Sequence, residues 1–290
     1  MKLPVFTSCC TALVTPFLNG EINYPMVEQL IHRQIHAGIR AIVIAGTTGE
    51  SATLSDAEKL ELVRRAKEYA GEKCMIIAGT GSNDTSHALA LSIAAQEAGA
   101  DALLIVSPYY NKATADGLYA HYTAIAHRVR IPVILYNVPS RTGVDIPVSV
   151  YKRLSRIPNI AGVKEASPDM GKLVRILREC ADDMPVWCGN DDLAVAAMAL
   201  GAKGVISVAS NLVPEEMKLM TDAALDGDFD TAADLQLKLL DLMELLFCEV
   251  NPIPVKAAMK LHGFDCGGCR LPLSELSKEN LERMKKYFGK

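Results

Sequence analysis

Eight short apolar runs, separated by longer amphipathic segments, limit the folds open to this chain more than any other feature of its 290 residues. A strand that is covered on both faces reads as a continuous hydrophobic run, because neither face meets water. The runs lack polar alternation and cover residues 10–14, 41–44, 75–78, 102–106, 132–136, 160–163, 186–188 and 204–207. The pattern therefore predicts eight strands that are buried on both sides.

The segments between these runs carry the signals of amphipathic helices. In residues 24–37 the apolar side chains recur at helical spacing, and Ser55 with Glu58 forms a capping-box signature at the next segment. Further helices are predicted over residues 83–98, 114–127, 147–155, 169–180, 191–200 and 214–225. Eight strand–helix units that close on themselves predict an α/β fold, the (β/α)8 TIM barrel. An open doubly wound sheet is the alternative, which the absence of a GxGxxG motif after any strand disfavours.

The last part of the chain breaks this rhythm. Residues 228–290 hold three helix-like stretches, near 229–249, 252–262 and 275–288, and no strand pattern. Because no Pro- or Ser-rich linker precedes them, a second independent domain is not expected. We predict a catalytic barrel over residues 1–227 and a C-terminal helical extension over residues 228–290.

The charge and the hydropathy of the chain disfavour several classes of partner. The formal net charge is −4 and the pI about 5.9, and no basic cluster with interleaved aromatic residues occurs. Nucleic acid and anionic membranes are therefore not expected as partners. The N-terminus lacks the apolar core of a signal peptide, and no apolar run reaches the ~18 residues of a membrane span. We expect a cytoplasmic protein.

The eight cysteines are expected to be free thiols, as is usual in a cytoplasmic chain. The Cys266-Gly267-Gly268-Cys269 segment is the one spacing that resembles a metal or redox motif. A structural zinc ion needs four ligands, whereas His262 is the one further ligand type nearby. A special role for Cys266 and Cys269 stays open.

Other metal-ligand patterns are equally incomplete. His32 and His36 lie one helical turn apart, but they belong to the outer helices and have no evident third ligand. Asp191 and Asp192 are expected to cap a helix rather than to hold a divalent ion. No metal site is predicted.

The chemistry of a TIM barrel is carried by residues at the C-terminal ends of its strands and in the loops that follow. Lys164 directly follows the sixth apolar run, so it lies at such an end. A buried lysine costs desolvation energy unless it is paired or acts as a neutral amine, and the neutral amine is nucleophilic. The structural alternative is an ion pair with Glu165 or with an aspartate after the seventh run.

Other polar residues follow neighbouring runs and are expected at the same end of the barrel. Tyr136 ends the fifth run, where its hydroxyl can transfer protons beside an amine. Thr47 and Thr48 follow the second run and offer hydroxyl groups to a carboxylate. Arg141 lies in a loop at the mouth, where it can bind a second carboxylate with two hydrogen bonds. Each position also has an ordinary structural interpretation, and their joint placement favours an active site.

Three motifs give the chain a strong family resemblance. They are Gly46-Thr47-Thr48-Gly49-Glu50, Tyr136-Asn137-Val138-Pro139-Ser140-Arg141-Thr142-Gly143 and Gly162-Val163-Lys164-Glu165. Together they resemble the dihydrodipicolinate synthase family, within the N-acetylneuraminate lyase superfamily of Schiff-base aldolases. The resemblance extends over essentially the whole chain.

The resemblance implies a role for each matching residue. Lys164 is expected to form the Schiff base, and Tyr136, Thr47 and Tyr110 are expected to form a proton relay in which Tyr110 reaches a neighbouring subunit's site. Thr48 is expected to bind the pyruvate carboxylate and Arg141 the carboxylate of the aldehyde. The family also implies pocket-lining roles for Gly189 and Ile206, the latter through its backbone carbonyl.

The resemblance further implies the reaction and the assembly. Pyruvate would condense with L-aspartate 4-semialdehyde in the first committed step toward diaminopimelate and lysine, without metal or organic cofactor. The expected assembly is a homotetramer, built as a dimer of tight dimers.

Members of this family that lysine inhibits bind it at the dimer interface. Four positions match that site here: Ser51, Ala52, Asn83 and Tyr109. Three depart from it, because His87 replaces an acid, and Asp56 and Lys59 replace histidines. We therefore expect weak or absent inhibition by lysine.

Two other functions remain open at this point. One is a related aldolase or lyase of the same superfamily that uses another aldehyde. The other is a non-catalytic barrel that binds a 2-oxo acid, which the complete set of Lys164, Tyr136 and Thr47 disfavours.

Overall fold

The computed structural model describes residues 2–180 and 182–290, and eight parallel strands at its centre close into a barrel. The strands are β1 (Ser8–Ala12), β2 (Ala41–Ile44), β3 (Met75–Gly79), β4 (Ala102–Val106), β5 (Val133–Asn137), β6 (Ile160–Glu165), β7 (Val186–Cys188) and β8 (Gly204–Ser207). Each strand pairs with the next in chain order, and β1 pairs with both β8 and β2. The predicted TIM barrel is therefore confirmed.

Helices surround this barrel in the order that the sequence predicts. They are α1 (Tyr24–His36), α2 (Asp56–Ala70), α3 (Thr85–Glu97), α4 (Ala115–Ala126), α5 (Pro139–Thr142), α6 (Val148–Leu154), α7 (Met170–Cys180), α8 (Ala194–Ala199), α9 (Pro214–Asp226), α10 (Phe229–Leu245), α11 (Ile253–Leu261) and α12 (Lys278–Phe288). The capping box at α2 forms as predicted, since Ser55 Oγ accepts from Glu58 N and the Glu58 carboxylate accepts from Ser55 N.

Three local features differ from the sequence prediction. β1 begins two residues earlier than the predicted run. A hairpin of Phe17–Leu18 with Glu21–Ile22 precedes α1, and its Asn19-Gly20 turn is a strong hairpin signal that the prediction of apolar runs and helices does not include. The short helix α5 occupies a segment that was predicted as loop.

Packed aromatic side chains close the barrel interior at the N-terminal end of the strands. Phe6 precedes β1 and stacks on Trp187 of β7, with ring centres 4.7 Å apart. The indole Nε1 of Trp187, which is fully buried, donates to the backbone oxygen of Phe6 at 3.2 Å. Because this end is closed by packed side chains, an active-site cavity can open only at the C-terminal end of the strands.

The extension that follows α9 packs onto the barrel. α10 contacts α8 and α9, and α11 contacts the short 3-10 turn Ala209–Asn211 that follows β8. This contact brings the extension to the C-terminal end of the strands. Within the described ranges, no helix is both long enough and apolar enough to cross a bilayer.

Candidate active site

A cavity of about 460 Å³ opens at the C-terminal end of the barrel, a size that suits a small organic substrate. It brings together residues from β5, β6, several strand–helix loops and the C-terminal extension. The lining consists of Thr47, Thr48, Tyr136, Val138, Ser140, Arg141, Lys164, Ala166, Gly189, Asn190, Asp191, Asp192, Val208, Met243, Glu244, Phe247 and Asn251. Six of the eight residues expected to act on substrates are therefore in one cavity.

Lys164 lies on the wall of this cavity with 5% of its surface exposed. Its Nζ is 4.5 Å from the centre of the Tyr136 ring, and the two residues are register partners on β6 and β5. Among residues 2–180 and 182–290, no carboxylate forms an ion pair with Lys164. By contrast, the buried amines of Lys172 and Lys256 both pair with carboxylates.

The alternative of an ion pair between Lys164 and Glu165 does not form, because the two side chains lie on opposite faces of the sheet. Successive strand residues point to opposite faces, so Glu165 faces the helices while Lys164 faces the lumen. The Glu165 carboxylate accepts from Asn137 Nδ2 at 2.8 Å and from the Tyr151 hydroxyl at 3.2 Å, and Lys172 Nζ lies 3.7 Å away. This network holds the ends of β5 and β6 in register, and it does not include the Lys164 amine.

Asp191 does not pair with Lys164 either. One carboxylate oxygen accepts from the backbone N–H groups of Val208 and Ala209, at 2.9 and 2.8 Å. The expectation that Asp191 caps the helix after β7 is therefore wrong, because no side-chain cap hydrogen bond forms there and its Oδ2 accepts from the turn after β8 instead. Burial raises the pKa of this carboxyl above its ordinary value.

Thr48 and Arg141 lie on the same side of the cavity. Thr48 is 3% exposed, and Arg141 is exposed at the mouth, at the end of α5. Both contact Asn251, which the sequence analysis did not single out. The signal that could have found it is a polar residue within a largely apolar stretch, since such residues are usually buried with a partner.

Gly189 and Ile206 have different positions. Gly189 lines the cavity, and a Cβ there would lie 2.5 Å from Ala166 Cβ, so only glycine allows the ends of β6 and β7 to approach this closely. Ile206 is fully buried in the apolar cluster inside the barrel, and Val208 takes the neighbouring position in the lining.

Tyr110 lies apart from this cavity. Its side chain is 88% exposed, and its backbone has a φ of 73°, which is unfavourable for a residue with a side chain. The backbone N–H of Tyr110 donates to Thr142 O at 3.4 Å, which fixes the loop beside α5. Tyr110 therefore points outward at the rim and does not complete the site of its own chain.

The comparisons with known proteins agree on one family. The model of the dihydrodipicolinate synthetase family matches residues 5–289. The chain belongs to this family. It is 47% identical to the 4-hydroxy-tetrahydrodipicolinate synthase of Fervidobacterium nodosum over 287 residues, which is 99% of this chain and 98% of that protein.

Solved structures of the family have the same fold. The crystal structure of dihydrodipicolinate synthase from Aquifex aeolicus matches with a TM-score of 0.96 and 43% identity, covering 98% of this chain and 97% of that one. A second structure, described as the first monomeric dihydrodipicolinate synthase variant, matches with a TM-score of 0.96 and 39% identity over 98% and 96% of the two chains. The family expectation from the sequence motifs is confirmed.

Six of the seven positions that the family resemblance linked to lysine binding line a second cavity, of about 500 Å³. Ser51, Ala52, Asp56, Lys59, His87 and Tyr109 line it. Asn83 is not in that lining, and its backbone oxygen accepts from Asn111 Nδ2 at 2.8 Å. His87 Nε2 lies 2.7 Å from the Asp56 carboxylate, whose other oxygen is 3.5 Å from Lys59 Nζ.

The histidines and cysteines that the sequence offered as metal ligands do not form a metal site in the described part of the chain. In the part of the chain that the structure describes, no three His, Cys, Asp or Glu side chains group closely enough to hold a metal ion. His32 and His36 lie on an outer surface groove along α1. Cys266 and Cys269 are free thiols, and burial raises their pKa values to about 12 and about 11, so both stay protonated at neutral pH.

Proposed function

We propose that this chain is a 4-hydroxy-tetrahydrodipicolinate synthase that condenses pyruvate with L-aspartate 4-semialdehyde through a Schiff base on Lys164. Its family gives the reaction class, an aldol-type lyase reaction. One observation supports the role of Lys164 above all others. It is a buried amine on the cavity wall that has no carboxylate partner in the described chain, unlike the other buried lysines.

The amine begins the reaction as a nucleophile. Lys164 Nζ attacks the ketone carbon of pyruvate, and loss of one water gives an imine. The imine withdraws electrons, so the methyl group loses a proton and forms an enamine. The enamine carbon attacks the aldehyde carbon and forms the new carbon–carbon bond. The amino group of the second substrate then attacks the imine carbon, closes the ring and releases Lys164, so that one water is lost overall. These steps need neither a metal ion nor an organic cofactor.

Two substrate carboxylates require two separate donors. The Thr48 hydroxyl lies in the buried part of the cavity and suits the small pyruvate carboxylate. Arg141 at the mouth presents a planar guanidinium that binds the carboxylate of the larger aldehyde with two hydrogen bonds. This arrangement places the aldehyde above the enamine and makes the bond-forming step effectively intramolecular.

Proton transfer is assigned to Tyr136 and Thr47, with Tyr110 supplied by a neighbouring subunit. The position of Tyr110 supports this proposal, because an exposed aromatic side chain on a strained backbone at the rim can enter the site of a second copy. We therefore propose an assembly in which two copies complete each other's sites, within a dimer of dimers.

Reductive trapping tests the proposal directly. The protein is incubated with pyruvate, borohydride is added, and peptide mass spectrometry locates the reduced adduct. We expect the adduct on Lys164 and none on Lys172 or Lys256, which are buried and paired and serve as internal controls. Folded protein with an unmodified Lys164 would contradict the mechanism.

The second substrate is tested with a panel of aldehydes that either carry or lack the α-carboxylate. Turnover should require this carboxylate, and it should lose that requirement in an Arg141→Ala variant. Equal turnover of aldehydes without the carboxylate by the unmodified protein would point to another aldolase of the superfamily.

A further inference from the structure

Asn251 connects the C-terminal extension to the active-site cavity. It precedes α11, outside the strands and loops of the barrel, yet only 4% of its surface is exposed. It lines both the active-site cavity and the second cavity beside it. Its side-chain Oδ1 has no hydrogen-bond partner in the described chain, and the two contacts that Asn251 does make indicate its role.

Two contacts of Asn251 reach the residues proposed to bind substrate carboxylates. Its side-chain Nδ2 donates to Thr48 Oγ1 at 3.0 Å. Its backbone oxygen accepts from Arg141 Nη2 at 3.2 Å. One residue therefore contacts both the buried and the outer carboxylate-binding group.

The hydrogen bond to Thr48 determines what the threonine hydroxyl can do. A hydroxyl group has one hydrogen and two lone pairs. Because the Asn251 amide occupies a lone pair, the Thr48 hydrogen must point toward another acceptor. Among residues 2–180 and 182–290, no protein group accepts a hydrogen bond from the Thr48 hydroxyl, so the hydroxyl remains available to donate into the cavity.

We propose that Asn251 is a positioning residue that keeps Thr48 a hydrogen-bond donor toward pyruvate and holds Arg141 at the mouth. This inference rests on the proposed function. The side chain of Asn251 sets the direction of the Thr48 hydrogen, while its backbone oxygen fixes one nitrogen of Arg141. The C-terminal extension thereby forms part of the substrate-binding site and is more than a support for the barrel.

An Asn251→Asp variant tests the side-chain part of this proposal. A carboxylate accepts the Thr48 hydrogen, so it withdraws the donor from pyruvate and adds a negative charge near the pyruvate carboxylate. We expect KM for pyruvate to rise about 10- to 100-fold, with kcat at saturating pyruvate changed far less. As pH falls, this KM should decrease toward that of the parent protein, because the introduced carboxyl becomes neutral. A purely structural role would not produce that pH dependence.

A double-mutant cycle tests whether Asn251 acts through Thr48. Thr48→Val removes the hydroxyl, and Asn251→Ala removes the amide without adding charge. If Asn251 acts through Thr48, the double variant should bind pyruvate no more weakly than Thr48→Val alone. Asn159→Asp is the matched control, because Asn159 Nδ2 donates to the backbone oxygens of Ala126 and Val129, at the other end of the barrel.

The outcomes separate this proposal from the proposed function. If the parent protein forms the Lys164 adduct and turns over, but folded Asn251→Asp keeps the parent KM for pyruvate, the role of Asn251 is refuted. Additive effects in the double-mutant cycle would refute it as well. If the parent protein forms no adduct and shows no turnover, the proposed function itself fails. Asn251→Ala gives the same KM measurement if the aspartate variant does not fold.

Discussion

Lys164 and Tyr136 are register partners on adjacent strands, and the Lys164 Nζ lies 4.5 Å from the centre of the Tyr136 ring. Neither position can shift alone, because the residues that follow them, Glu165 and Asn137, are joined by a 2.8 Å hydrogen bond on the opposite face of the sheet. The parallel sheet thus sets the geometry of the amine and the phenol before any substrate arrives.

Removing the Tyr136 hydroxyl should lower the reaction rate without lowering the stability of the fold. In Tyr136→Phe the ring remains beside the amine, but the proton-transfer group is lost. We expect kcat to fall about 100- to 10,000-fold with little change in the thermal midpoint. Steady-state kinetics and a melting curve measure both. Tyr122→Phe is the control. Tyr122 is a buried tyrosine of α4, and its hydroxyl donates weakly to Ile105 O at 3.4 Å. An equal loss of kcat in Tyr122→Phe would contradict the role of Tyr136 in proton transfer.

Replacement of Arg141 should affect the second substrate alone. Arg141→Ala removes the guanidinium at the mouth, and we expect kcat/KM for the aldehyde to fall about 10- to 200-fold, as the loss of a hydrogen bond to a charged group predicts. Trapping of pyruvate on Lys164 should proceed at the parent rate. Arg153→Ala is the matched control, because Arg153 contacts Asp116 and Tyr119 on the outer helices. Slower pyruvate trapping in Arg141→Ala would show that the residue acts before the aldehyde binds.

The sequence predicts the barrel well because its signals are local and repeated. Each strand is buried on both faces, so every run is apolar throughout, and each helix carries its own periodicity and cap. Residues at the ends of runs, such as Lys164 and Tyr136, then fall at one end of the barrel by topology alone. The bounds of most elements accordingly differ from the prediction by one or two residues.

Contacts that join distant parts of the chain could not be predicted in this way. Asn251 meets Thr48 across 203 positions, and Lys256 meets Glu50 across 206. Periodicity identifies which face of α11 is apolar, but it does not indicate which loop that face covers. The residues that Tyr110 contacts could not be predicted by this reasoning either, since its proposed partners belong to another copy of the chain.

The buried pair of Lys256 and Glu50 should contribute strongly to stability. Lys256 Nζ lies 2.6 Å from the Glu50 carboxylate and 2.9 Å from Gly268 O, and both side chains are almost fully buried. Lys256→Met leaves a buried carboxylate without its cation, so we expect a loss of about 3–5 kcal/mol in the free energy of unfolding. Denaturant titration measures this loss. Lys260→Met, which breaks an exposed pair with Asp265, should cost less than about 1 kcal/mol.

A second substitution distinguishes an unpaired charge from lost packing. In the double variant Lys256→Met with Glu50→Gln, no buried charge remains. Part of the lost stability should return. A double variant that is as unstable as the sum of both single variants would show that the pair does not act as a unit.

The buried histidine His121 should make the fold sensitive to acid. Burial lowers its pKa from 6.5 to about 4, its Nδ1 lies 2.9 Å from Thr85 Oγ1, and its Nε2 has no partner within the described chain. The folded state therefore keeps His121 neutral, while the unfolded chain binds a proton below pH 6.5. Titration of His121 leaves the free energy of unfolding unchanged above pH 6.5 and lowers it as pH falls from 6.5 toward 4, by about 3 kcal/mol in total.

His121→Gln removes this titration while it retains a polar side chain. As pH falls from 6.5 to 4, the free energy of unfolding should decrease more for the parent protein than for this variant. Urea titrations at several pH values measure that difference. A difference that stays constant across this range would show that His121 does not contribute to the acid sensitivity.

L-Lysine should inhibit this protein weakly or not at all. The cavity around Ser51 and Ala52 presents Lys59 and His87 to a ligand, and its one acid among these positions, Asp56, already contacts both of them. A lysine ammonium would therefore meet a cation and an imidazole in place of a free carboxylate. Steady-state rates with increasing L-lysine test this, and His87→Glu should increase sensitivity if the missing acid is the cause. Half-inhibition of the parent protein at sub-millimolar L-lysine would contradict the prediction.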